Sequence, residues 1–93
     1  MTFKFKGEQY RISFQHGMFP LPLAPDKSVR GTRCSVGPEG QNNIGYSWCS
    51  PQDNFRRETG RKVALKRALL WYGGSSWRAF RTAAWKAYLE RPR

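Results

Sequence analysis

The sequence predicts an α+β domain in which an antiparallel sheet of about four strands is followed by two helices packed on one of its faces. Two observations carry this. Apolar residues alternate with polar ones in segments of residues 1–49 (2–14, 29–36 and 44–49), the period of a half-buried strand, and recur every three to four residues through 50–91, the period of a helix. Strands that precede helices in a block, without alternating with them, build α+β layers and not βαβ units. One domain is expected over 1–93, because a chain this short supports a single thin core. Six Phe, four Tyr and four Trp supply the bulk such a core needs.

The elements follow in order. Phe3 and Phe5 share one face, Lys6-Gly7-Glu8-Gln9 has turn chemistry, and Tyr10, Ile12 and Phe14 share a face again, which reads as a hairpin with aromatic cross-strand pairs. Gln15 to Lys27 reads as a loop, because Pro20, Pro22 and Pro25 favour open, extended backbone. Such a loop can serve as an interaction arm, but the reading preferred is that Met18, Phe19, Leu21 and Leu23 cap one end of the core. Val29 to Val36 forms a third strand, Gly37 to Asn43 a turn, and Ile44 to Cys49 a fourth strand. Ser50 and Pro51 are suited to cap and open a helix, Asp53 favours its N-terminal dipole, and the helix should run to about Tyr72 before Gly73-Gly74. Ser75-Ser76 then caps a second helix from Trp77 to about Glu90.

Within the first helix Gly60, Ala64 and Ala68 fall on one stripe. A helical glycine costs about 0.5–1 kcal/mol against alanine, so the stripe implies that another backbone passes close by. Leu65, Leu69 and Tyr72 flank it toward the core. In the second helix Trp77, Phe80, Ala84, Ala87 and Tyr88 form the apolar stripe, opposite Arg78, Thr82 and Lys86. Arg81 and Trp85 stand at the border. A Trp beside Arg can stack a base, yet an aromatic at this spacing is more often core.

Charge narrows the function. The net charge is +11. Residues 1–50 hold six basic and three acidic side chains, a net +3, whereas 51–93 hold eleven against three, a net +8. An excess of this size favours a polyanionic partner, and solubility alone needs only about 2–8 charges. Lys62 and Lys66 share one side of the first helix, extended by Arg56, Lys66's neighbour Arg67, and Arg78 and Lys86 of the second. Arg57 and Arg61 lie toward the apolar side, where they can snorkel, pair with Asp53 or Glu58, or hold a phosphate. Arg56, Arg57, Arg61, Lys62, Lys66, Arg67, Arg78, Arg81 and Lys86 are therefore the candidate nucleic-acid-binding residues.

Catalytic and metal chemistry is not expected. His16 is the lone histidine, the six acids are scattered, and no phosphate loop, dinucleotide-binding glycine pattern or zinc-protease motif is present. A zinc site would have to assemble His16, Cys34, Cys49 and one more ligand, Asp53 being a candidate, without the short paired spacings structural zinc prefers. No catalytic residue, metal or cofactor is assigned. The start of the chain lacks an apolar leader, no stretch approaches about 18 apolar residues, and the two cysteines form no disulfide framework, so a cytoplasmic domain with reduced thiols and no membrane contact is expected.

The segment Cys49-Ser50-Pro51-Gln52-Asp53-Asn54-Phe55, running on to Gly60-Arg61-Lys62-Val63-Ala64 and Arg67, resembles a segment of small proteins encoded by bacteriophages and prophages. The resemblance implies a mobile-element origin and action on host nucleic-acid machinery, CRISPR defence included. The partner is then DNA or RNA, bound directly, or a host protein–nucleic-acid complex on which an anti-CRISPR-like inhibitor docks. Many such inhibitors are acidic nucleic-acid mimics, which a +11 chain cannot be. The rival readings are a small nuclease, which needs a general base and usually a metal, and a phage structural protein that binds packaged DNA.

Overall fold

The computed structural model describes residues 1–38, 43–49 and 56–91. The predicted architecture is found: one four-stranded antiparallel sheet in the order β1-β2-β3-β4, followed by two helices. The strands are β1 (Thr2–Phe5), β2 (Glu8–Leu21), β3 (Ala24–Gly37) and β4 (Asn43–Trp48). The helices are α1 (Arg57–Leu69) and α2 (Arg78–Leu89), with a single 3-10 turn at Ser75–Trp77 before the second.

The first hairpin closes through Lys6-Gly7 alone. Both residues have positive φ, 50° and 80°, the backbone of the tight two-residue turn whose twist matches paired strands. Phe3 then faces Tyr10 and Phe5 faces Glu8. The rings of Phe3, Phe5, Tyr10 and Tyr72 gather round Phe80 of α2 with centroids 4.4–5.5 Å apart. Phe14 meets Tyr88 about two turns farther along α2. This aromatic seam holds α2 to the β1–β2 side of the sheet.

The expected loop at 15–27 is not a loop. β2 and β3 continue as a paired ribbon as far as Leu21 and Ala24, turning through Pro22 and Leu23. β1 covers β2 only as far as Arg11, and β4 covers β3 only from Gly31 onward. Among the described residues both edges of the outer ribbon are therefore open, and a proline on an open edge removes no ladder hydrogen bond that a neighbour needs. Pro20 adjoins the one register shift in the ribbon. The four apolar side chains do not cap the core together either: Leu23 is 99% and Met18 62% exposed, while Phe19 packs on Tyr46 with centroids 5.5 Å apart.

The small stripe of α1 is buried as expected, together with Leu65, Leu69 and Tyr72. The backbone that approaches it is β4 at Gly45. A methyl group built there would run into Ala64 O and Ala68 N and come within 2.8 Å of Arg67 C. The boundaries of α1 differ from expectation. Arg56 is extended (φ −123°, ψ 117°) and occupies the cap position, so the helix opens at Arg57. The proposed opening at Ser50-Pro51, with Asp53 and Phe55, lies outside the described residues, as does the turn at 39–42. At the other end α-helical bonding stops at Leu69, and tightened bonds from Trp71 to Ala68 O and Tyr72 to Leu69 O carry the chain to the glycines. Ser75 and Ser76 make no side-chain cap.

Candidate nucleic-acid interface

Adjacent sheet residues alternate between two faces. On one, Ile12, Cys34, Val36 and Thr32 are fully buried beneath the helices. Burial alone pushes the Cys34 thiol up to about 12, and no disulfide joins it to Cys49. No described helix is long and apolar enough to cross a membrane.

The outer side of the helical layer carries most of the candidate cations. Arg56, Arg57, Lys62, Lys66, Arg67, Arg78 and Lys86 are exposed, whereas Arg61 and Arg81 are half-buried. The described ion pairs all converge on Glu58, whose carboxylate lies 2.7 Å from Arg61, 2.8 Å from Arg91 and 3.8 Å from Lys62. This joins the start of α1 to the chain just beyond α2. Arg91 also lays its guanidinium 3.9 Å from the Tyr88 ring centre and donates to Tyr88 O. Of the three alternatives open for Arg61, pairing with Glu58 is the one observed. Lys66, Arg78 and Lys86, with Arg56 and Arg57, have no carboxylate within ion-pair distance among the described residues.

Two candidates have structural duties. Arg81 donates to Tyr72 O and Gly74 O, so it satisfies the carbonyls left open where α1 ends. Arg67 donates to Tyr46 O at 2.7 Å, and Trp71, one turn on, donates its indole N–H to Ile44 O at 3.2 Å. Arg67 in the last turn of α1 and Trp71 just beyond its end thus cap alternate carbonyls along the edge of β4, a row that would otherwise invite another strand. Neither duty is visible in a sequence pattern, because each depends on which edge the helix lies beside. Trp85 sits half-buried against Tyr88 and lines a shallow groove with Arg78, Arg81 and Lys86.

A cleft at the α1–α2 junction brings together His16, Glu58, Arg61, Lys62 and Arg91, which looked unrelated in the sequence. His16 Nδ1 lies 2.8 Å from Thr32 Oγ1. Burial, and then the charges of Arg57 and Arg61, pull its pKa below the usual value. Arg61 foremost, with Arg91 assisting, holds the Glu58 carboxyl at about 2 against partial desolvation. The depressed value stabilises the fold above the ordinary carboxylate range, and that contribution disappears as pH falls toward 2. Glu58→Gln should therefore melt below the parent at pH 7, and the gap should close as both are acidified from pH 5 to 2. A gap that stayed constant would show that the cluster contributes nothing. Among the described residues, no three His, Cys, Asp or Glu side chains gather as a metal site. Compared with known proteins, the chain matches no family model, no curated protein and no solved structure.

Proposed function

We propose that this protein is a non-enzymatic binder of nucleic acid that rests the outer side of its two helices on a phosphate backbone. The observation that carries the reading is the set Lys66, Arg78 and Lys86: exposed, on the helical layer, and without a carboxylate among the described residues, in a chain of net charge +11. Lys62, Arg56 and Arg57 widen the set. Cations placed this way supply affinity to any sequence, since phosphate contacts position a protein without reading bases. Catalysis has no part in the reading. The carboxylate that shares a cleft with His16 is held at about 2 and tied to three cations, which makes it a poor base near neutral pH.

The resemblance to phage-encoded proteins supports a setting in the host cytoplasm and a role against host defence. Docking on a host protein–nucleic-acid complex is the second reading. It is favoured by Leu70 and Trp71, adjacent at the end of α1 and about 70% exposed. The deciding experiment is fluorescence anisotropy of a labelled 20-base-pair duplex across a salt series. Four to six phosphate contacts predict a log–log slope of roughly −4 to −5. Absence of binding at low salt would sink the direct reading and leave docking on the protein component.

A further inference from the structure

Neither described helix lies on the second face of the sheet, and we infer that it binds single-stranded nucleic acid, with Trp48 and Tyr46 stacking bases beside a floor made by Gly17 and Gly31. The inference extends the nucleic-acid reading to a separate surface.

The strand register builds this surface. Gln15, Arg33 and Tyr46 form one cross-strand row, and Gly17, Gly31 and Trp48 form the next. Thr32 and Cys34 point to the helices, so both rows point away from them. Tyr46 and Trp48 lie nearly parallel, 15° between planes and 5.4 Å between centres, and Phe19 packs edge-on against Tyr46. All three are half-buried. Beside the indole the two neighbouring positions, Gly31 and Gly17, carry no side chain. A Cβ at Gly17 would meet nothing within 4 Å, and Gly31 has no room for one because the Ser47 carbonyl crosses it. Two aromatic rings beside a slot without side chains make a ledge on which a flat ring can lie.

Charge selects the occupant. Arg33 stands within the rows, and Lys4 and Arg11 are exposed on the same face. Arg67 reaches round the β4 edge to 6.0 Å from the Trp48 ring centre. Among the described acids, Glu58 and Glu90 belong to the helical side, Glu8 bonds Tyr10 on the helix-facing side, and Asp26 lies near the far end of the ribbon. Arg33 Nε and Trp48 Nε1 are shielded donors with no hydrogen-bond partner, a cost that acceptors on a base or sugar would relieve once the side chains turn toward them. Stacking rings fringed by cations suit a single strand, whose bases are free to splay, and not a duplex, whose bases are already stacked.

The test uses fluorescein-labelled dodecathymidylate, with the 20-base-pair duplex in parallel. Gly17→Leu fills the slot at a position with open space above it, so the fold should survive, as its melting temperature will report. It should weaken dodecathymidylate binding about 10-fold or more while leaving duplex affinity unchanged. Trp48→Ala should weaken the single strand by about 5- to 150-fold, the range for loss of one stacked base, and Trp48→Phe should restore most of it. Parent that binds duplex but not dodecathymidylate would overturn this inference alone. Parent that binds neither would overturn the helical-face reading as well. Gly17→Leu protein that binds dodecathymidylate like the parent, or that converts a parent dimer to a monomer in sedimentation without changing its affinity, would assign the face to something other than single strands.

Discussion

Gly45→Ala should lower the stability of this protein by about 3 kcal/mol or more, the upper end of the cost of overpacking a core. The position is helix-facing on β4, and the obstacle to a methyl group is the backbone of α1 at Ala64, Arg67 and Ala68, not a side chain able to swing aside. Either α1 lifts from the sheet or β4 bends away from it. Both open the layer that buries Ala64, Leu65, Ala68 and Leu69. For a domain of this size the loss corresponds to a fall in Tm of about 12–24 °C. The sign is informative, because a Gly→Ala change at an unobstructed site stabilises by about 0.4–1 kcal/mol through the unfolded chain. Gly17→Ala supplies that comparison, since nothing lies within 4 Å of its added carbon. A Gly45→Ala protein that melts within about 3 °C of the parent would mean that α1 does not rest on β4 as described.

The expectation of a close backbone partner for the Gly60-Ala64-Ala68 stripe was legible because small residues at helical spacing have few other uses. The identity of the partner was not legible. Gly45 reads in the sequence as one more small residue in an alternating strand, and only the crossing of α1 over β4 gives it a role. The misreading of 15–27 has a similar source. Proline in a ladder is costly where both neighbours are strands, and costs little where the ribbon has outrun β1 and β4. Strand length relative to its neighbours is a property of the sheet, not of the segment.

The candidate interface was legible as a charge excess and not as a geometry. Helical periodicity placed Lys62, Lys66, Arg78 and Lys86 on outer surfaces, and each is exposed. Periodicity has no means of separating a cation that meets solvent from one that meets a carbonyl beyond the helix. Arg67 and Arg81 therefore entered the same set as Lys66, although one caps the β4 edge and the other the end of α1. Arg91 escaped notice because its partners, Glu58 and Tyr88, lie 33 and three residues away and converge only after the helices pack. The slot beside Trp48 on the second sheet face was hidden for the same reason, since Gly17, Gly31 and Trp48 come from three strands.

The charge reversal that tests the interface follows from this division. Lys66, Arg78 and Lys86 are changed together to Glu, because they are exposed and have no structural duty among the described contacts; Arg67 and Arg81 are left in place. Each reversal counts two charges, so the three lower the net charge by six, from +11 to +5. Each lost phosphate contact removes about 0.9 from the salt slope, so the three remove about 2.7. Scaled from 1 M salt, where the electrostatic contribution vanishes, to about 0.1 M, this is a loss of affinity of about 500-fold. The melting temperature should change little or rise as self-repulsion falls. Lys4→Glu with Lys6→Glu, which lowers the charge by four on the other side of the molecule, controls for a general loss of attraction. The decisive measurement is the duplex-binding salt slope of parent, triple variant and control under one set of buffers. The parent should give about −4 to −5, the control a slope within about one of it, and the triple variant a slope near −1 to −2. A triple variant whose slope and affinity matched the parent's would contradict the assignment of the helical face.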